Sequence, residues 1–101
     1  MTTVISPQLL KALTDLTGEI HLESALRMVT QDAIAHRLES IAKQLYILEQ
    51  KYGMSFEQFD ARFQVEELPN QYSYEVEQDY LEWEGLLCRK RRLQEVRDWL
   101  R

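Results

Sequence analysis

From Ile34 onward, apolar residues recur at Ile34, Leu38, Ile41, Leu45, Leu48 and Tyr52, at spacings of four, three, four, three and four. That period lays a heptad stripe along one face of a helix. Neither glycine nor proline interrupts residues 23–52, so the spacing predicts one long helix over that range. Upstream, Leu22, Leu26, Val29 and Ala33 keep the same spacing about one residue out of phase. The stripe therefore rotates, or the helix bends, near Thr30 to Ala33, and its first half faces a different neighbour. Glu23 with Arg27, and Glu39 with Lys43, stand four apart in the favourable order and mark the solvent side.

Boundary residues divide the remainder. Ser6 followed by Pro7 starts a helix, because serine caps orphan N–H groups and proline at the first helical position gives up a donor that has no partner there. This first helix runs to about Leu16, with Gly18 placed to end it in a left-handed conformation. Glu19, Ile20, His21 and Leu22 then alternate polar with apolar, which reads as a short extended segment. Gly53 closes the long helix. Ser55-Phe56-Glu57-Gln58 opens the next as a capping box, with Met54 placed to pack on Phe59, and Phe56, Phe59 and Phe63 share one face of a short helix ending near Glu67. Leu68-Pro69-Asn70-Gln71 is a break. Ser73 caps a last helix from Tyr74 to Leu100, with Val76, Tyr80, Trp83, Leu87 beside Leu86, Leu93, Val96 and Leu100 on its apolar side. Gly85 weakens that helix by about 1 kcal/mol relative to alanine.

The elements define an all-α protein: an elongated helical hairpin of two long helices, with a short connecting helix and a short N-terminal helix. Residues 1–101 form a single helical domain, in which 1–21 are an N-terminal segment, dimerising or mobile, and 22–101 are the hairpin. Each long helix, at about 1.5 Å per residue, spans roughly 40–45 Å, more than a compact chain of this length with a radius of gyration near 13 Å accommodates. A two-helix layer covers each stripe on one side only. A homodimer or larger oligomer is therefore expected, with Leu38, Ile41, Leu45 and Leu48 at its interface, and Tyr72, Tyr74 and Trp99 awaiting a second copy or a different protein.

Composition narrows the function. Three glycines and two prolines in 101 residues are too few for a sandwich or barrel. The single cysteine, Cys88, excludes an internal disulfide framework and a cysteine-based metal site. No stretch reaches the ~18 apolar residues of a membrane span, and no basic region precedes an apolar core at the amino terminus, so a soluble, cytoplasmic protein is expected. A net charge of −5 disfavours the chain as a polyanion binder. That charge is uneven, at −1 over residues 1–54, −8 over 55–84 and +4 over 85–101. In the acidic block Glu66, Glu67, Glu75, Glu77, Asp79, Glu82 and Glu84 are interleaved with Tyr72, Tyr74, Tyr80 and Trp83. Rings among carboxylates suit a docking surface for a basic protein, with Tyr74, Glu77, Tyr80, Trp83 and Glu84 as the partner-binding candidates. The alternative is that Tyr80 and Trp83 are core and the acids are a solvated face.

Arg89-Lys90-Arg91-Arg92 invites a nucleic-acid reading, yet four consecutive helical residues point around the whole circumference, and cations near a helix carboxyl end are stabilising in their own right. Nucleic acid is not expected to bind the chain alone. His21 and His36 lie 15 residues apart without a cysteine partner, so neither a metal nor another cofactor is expected. Cys88 has no activating motif, and the carboxylates of the last helix have neither a companion nucleophile nor a glycine-rich loop, so an enzyme is not expected.

Lys51-Tyr52-Gly53-Met54-Ser55-Phe56-Glu57-Gln58-Phe59, followed by Tyr74-Glu75-Val76-Glu77-Gln78-Asp79-Tyr80-Leu81-Glu82-Trp83-Glu84, resembles a group of small helical bacterial proteins, frequent in cyanobacteria, that look like antitoxins of toxin–antitoxin pairs. Gly18-Glu19-Ile20-His21-Leu22-Glu23-Ser24-Ala25-Leu26 is similar to the start of their long helix. The resemblance implies a protein that binds and neutralises a partner toxin, expected to be a basic nuclease. The opening Thr3-Val4-Ile5-Ser6-Pro7-Gln8-Leu9-Leu10 is also similar to ribbon-helix-helix repressors, which implies a DNA-binding autoregulator as the alternative. Thr2, Thr3, Val4 and Ile5 depart from that pattern by offering no arginine or lysine to base edges. A self-associating structural helical protein is the remaining alternative.

Overall fold

In the computed structural model, which describes residues 5–101, four helices follow one another: α1 Pro7–Thr17, α2 Leu22–Tyr52, α3 Phe56–Gln64 and α4 Tyr74–Trp99. No strand occurs among the described residues. The protein is an all-α elongated hairpin, 57 × 26 × 22 Å with a radius of gyration of 19.6 Å. α2 and α4 run antiparallel, since Lys51 at the end of α2 meets Glu75 at the start of α4, while Arg27 near the start of α2 donates to the Leu100 carbonyl at 2.8 Å. No helix among the described residues is long and apolar enough to cross a membrane.

The helix ends carry the chemistry that their residues imply. Ser6 Oγ accepts from the Leu9 N–H at 3.2 Å, and Ser73 Oγ accepts from that of Val76 at 3.3 Å. At α3 the box is reciprocal, with Ser55 Oγ accepting from the Gln58 N–H and Gln58 Oε1 accepting from the Ser55 N–H, each at 3.2 Å. Gly18 and Gly53 close α1 and α2 at φ 72° and 65°, a region that side-chain-bearing residues enter only at a cost. α3 stops at Gln64, short of Glu67, because Glu66 (φ 58°) and Asn70 (φ 55°) reverse the chain instead of extending the helix. The loop that results is fastened by Gln71, the one buried polar side chain among the described residues. Its Nε2 donates to the Phe63 carbonyl at 2.7 Å and its Oε1 accepts from the Leu68 N–H at 3.4 Å.

One cluster forms the core of the hairpin: Ile34, Ile41, Leu45 and Leu48 of α2, Phe59 of α3, Leu68 of the loop, and Val76, Trp83 and Leu93 of α4. Trp83, 1% exposed, lies 5.1 Å from Phe59 and 5.5 Å from Phe56 between ring centroids. This packing corrects the expected place of the oligomer interface. Ile41, Leu45 and Leu48 are buried within the single chain and Leu38 packs half-buried beside them, because the stripes of α2 and α4 face each other and the phenylalanines fill the closed end.

The first half of α2 does have a different neighbour, but not through the anticipated residues. Leu22, Leu26 and Ala33 are exposed and Val29 half-buried, whereas Ala25 is buried, 1% exposed, where α1 brings Leu13 against the helix. Nine residues separate Ala25 from Ile34, and at roughly 100° per residue that is half a turn. α1 and α4 therefore occupy opposite sides of α2. The extended reading of Glu19 to Leu22 also fails. Thr17 Oγ1 accepts from the Glu19 N–H at 3.1 Å, tightening a turn that leads straight to His21 at the head of α2.

Candidate protein-binding surface

The first half of α4 has two unlike faces. Val76, Tyr80 and Trp83 point into the hairpin. Tyr74, Glu77, Leu81, Glu84 and Cys88, spaced three, four, three and four, form an exposed row on the other side. Of the five residues nominated from the sequence, Tyr74, Glu77 and Glu84 lie in this row and Tyr80 and Trp83 do not. Trp83 is core, and Tyr80 is half-buried, its ring 4.4 Å from that of Phe63 and its hydroxyl donating to Asp60 Oδ1 at 2.6 Å. Those two rings are thus committed to the fold rather than offered to a partner.

The apolar area of the row comes instead from Tyr74, 78% exposed, and Leu81, 59% exposed. Leu81 was missed because its neighbour Tyr80 carries the core period. The signal was present, however, in a leucine displaced by one position from that stripe and flanked by acids at 77 and 84.

The carboxylates of the acidic block divide into two groups. Lys51 Nζ lies 2.6 Å from both Glu75 Oε1 and Asp79 Oδ2, and the Tyr52 hydroxyl donates to the same Asp79 oxygen. Hydrogen bonds to Asp79 and then to Glu75 hold the Lys51 ammonium well above its ordinary pKa. Burial, reinforced by the bond to Asp79, pushes the Tyr52 phenol up as well. Asp60 accepts from Tyr80 and from Gln64 Nε2, at 3.1 Å for the latter, and these bonds keep its carboxyl below the usual range. Glu57, Glu67, Glu77, Glu82 and Glu84 make no ion pair among the described residues. Glu77 and Glu84 thus present their charge outward from the same row as Tyr74 and Leu81.

Beside that row an open groove of about 620 Å³ runs between α3 and the middle of α4, lined by Phe56, Glu57, Glu84, Cys88, Lys90 and Arg91. The basic run is dispersed as its spacing requires. Lys90 and Arg91 face this groove, Arg89 lies with Arg37 of α2 on another side, and Arg92 pairs with Glu95 and sits 4.8 Å above the Trp99 ring. His21 and His36 are exposed, Cys88 is a free thiol, and no group of three or more His, Cys, Asp or Glu among the described residues is placed to hold a metal ion. Thr2, Thr3 and Val4, which would carry a repressor-like strand, lie outside the described residues. No family model, curated protein or solved structure matches the chain.

Proposed function

We propose that this chain is an antitoxin-like, protein-binding module that captures a basic partner toxin on the outer row of α4. The observation that carries the reading is the coincidence, on one solvent face, of Tyr74 and Leu81 with the unpaired carboxylates Glu77 and Glu84. The division of labour follows from elementary energetics. Outward carboxylates raise the encounter rate with a cationic surface, and the two apolar side chains, once desolvated, set how long the complex lasts. Five of the nine acids of residues 55–84, those other than Asp60, Glu66, Glu75 and Asp79, remain available for steering because no internal cation or hydroxyl holds them. The groove lined by Glu57 and Glu84 extends the same surface toward α3.

Co-expression with the product of the adjacent open reading frame tests this. A short, basic neighbour whose growth arrest is relieved by this chain supports the reading, and relief should weaken when Glu77 and Glu84 are replaced by lysine. A neighbour that is not toxic, or relief unaffected by charge reversal and by Leu81→Ala together, rejects it.

A further inference from the structure

We propose that the tip built from α1 and the first turns of α2 is an isologous interface with a second copy of this chain. The observations begin with α1. It is 11 residues long and only Leu13 on it is buried. A helix of that length is marginal in water without apolar packing, and Leu13 is the one side chain of α1 that its packing on α2 buries. Around that row Leu9, Leu10, Leu16, Ile20, Leu22 and Leu26 are all exposed, Leu16 at 76% and Ile20 at 83%. They fall within 18 consecutive residues at one end of the molecule.

The occupant follows from area and from charge. The chain exposes 7766 Å², whereas a compact monomer of its mass exposes about 6,000 Å². The difference, about 1,700 Å², goes with the elongated 57 × 26 × 22 Å shape, and an interface of standard size would take about half of it from each partner. A two-fold interface sets one patch against the same patch of the second copy, so a patch of large net charge meets its own sign and one of small net charge does not. Residues 5–29 hold Lys11 and Arg27 against Asp15, Glu19 and Glu23, a net −1, and Arg27 is already paired with Glu23 at 3.6 Å. The acidic block at −8 could not face itself, and the tip can. A strongly charged partner, conversely, would find no steering here. The tip is at the opposite end of the hairpin from Tyr74 and Glu77, so self-association and the proposed partner binding stand or fall separately.

Sedimentation equilibrium of the full chain across the micromolar range should return twice the 12.1 kDa monomer mass. The double variant Leu16→Glu/Ile20→Glu alters only exposed side chains and should weaken the dimer about a hundredfold or more, as expected for charges placed in an interface centre. Tyr46→Glu/Ile47→Glu, also exposed, at 61% and 64%, but toward the carboxyl end of α2, should leave it unchanged. Amide exchange in α1 of the native chain, which needs no variant, should slow as concentration rises. A native monomer at every concentration overturns the proposal. So does a dimer that survives the first pair and is broken by the second, or α1 exchange that does not depend on concentration.

Discussion

Lys51 and Asp79, 28 residues apart in sequence, meet at 2.6 Å where α2 ends and α4 begins, and Tyr52 donates to the same carboxylate oxygen. The two proton-bearing partners are both held above their ordinary pKa values, Lys51 by its bonds to Asp79 and Glu75, Tyr52 first by burial. A group raised on folding stabilises fully below its unfolded pKa and loses that stabilisation as pH climbs toward the folded value. The melting temperature should therefore be flat approaching pH 10 and fall above it. Tyr52→Phe should flatten that alkaline limb in a series of thermal melts. Asp60 works in the other direction, since its carboxyl is lowered by Tyr80 and Gln64, and its contribution should disappear as pH falls below about 4.

Trp83 and Leu81 sit two residues apart with opposite fates. Trp83→Ala should cost about 3–5 kcal/mol by emptying the space among Phe56, Phe59 and Tyr52, whereas Leu81→Ala should stay within about 0.5 kcal/mol. Urea denaturation followed by circular dichroism distinguishes them.

Gln71→Leu keeps approximate volume but leaves the Phe63 carbonyl and the Leu68 N–H without partners. A loss of about 1–3 kcal/mol is expected. Hydrogen exchange should quicken at Leu68 and across the α3–α4 loop before it does in α2.

Glu77→Lys with Glu84→Lys should leave the melting temperature nearly unchanged, since neither carboxylate is paired in the fold. Against a basic partner the same double variant should slow association and flatten its salt dependence, with dissociation little affected. Leu81→Ala should do the reverse. Stopped-flow or surface-binding kinetics at two ionic strengths separate the two.

Random duplex DNA should give no gel shift in the micromolar range at physiological salt. Residues 55–84 carry −8, and the four cations of Arg89 to Arg92 are spread over three sides of α4.

Signals confined to one turn were the most legible. Ser6, Gly18, Gly53, the Ser55–Gln58 box and Ser73 each act on residues within four positions, so their roles are visible without tertiary information. The long stripe of α2 was equally plain, but a stripe does not say whether its cover is intramolecular, and Ile41, Leu45 and Leu48 turned out to face α4 rather than a second copy. Tyr80 and Trp83 were ambiguous for a related reason, because large rings on an amphipathic helix suit a core and an interface alike. Ala25 escaped notice since alanine adds little to a hydrophobic period, although its small size lets α1 approach closely. Lys51 and Asp79 act across the fold, and Gln71 acts within an irregular loop, where no periodic pattern announces them.

The half-turn between Ala25 and Ile34 makes α2 a spar shared by two independent attachments. Because α1 and the hairpin never compete for the same side of that spar, mutational drift at Leu13 and Ala25 is decoupled from drift in the Trp83 core. The Trp83 core takes no side chain from α1, so a change at Leu13 should loosen the tip while the hairpin and its acidic row persist.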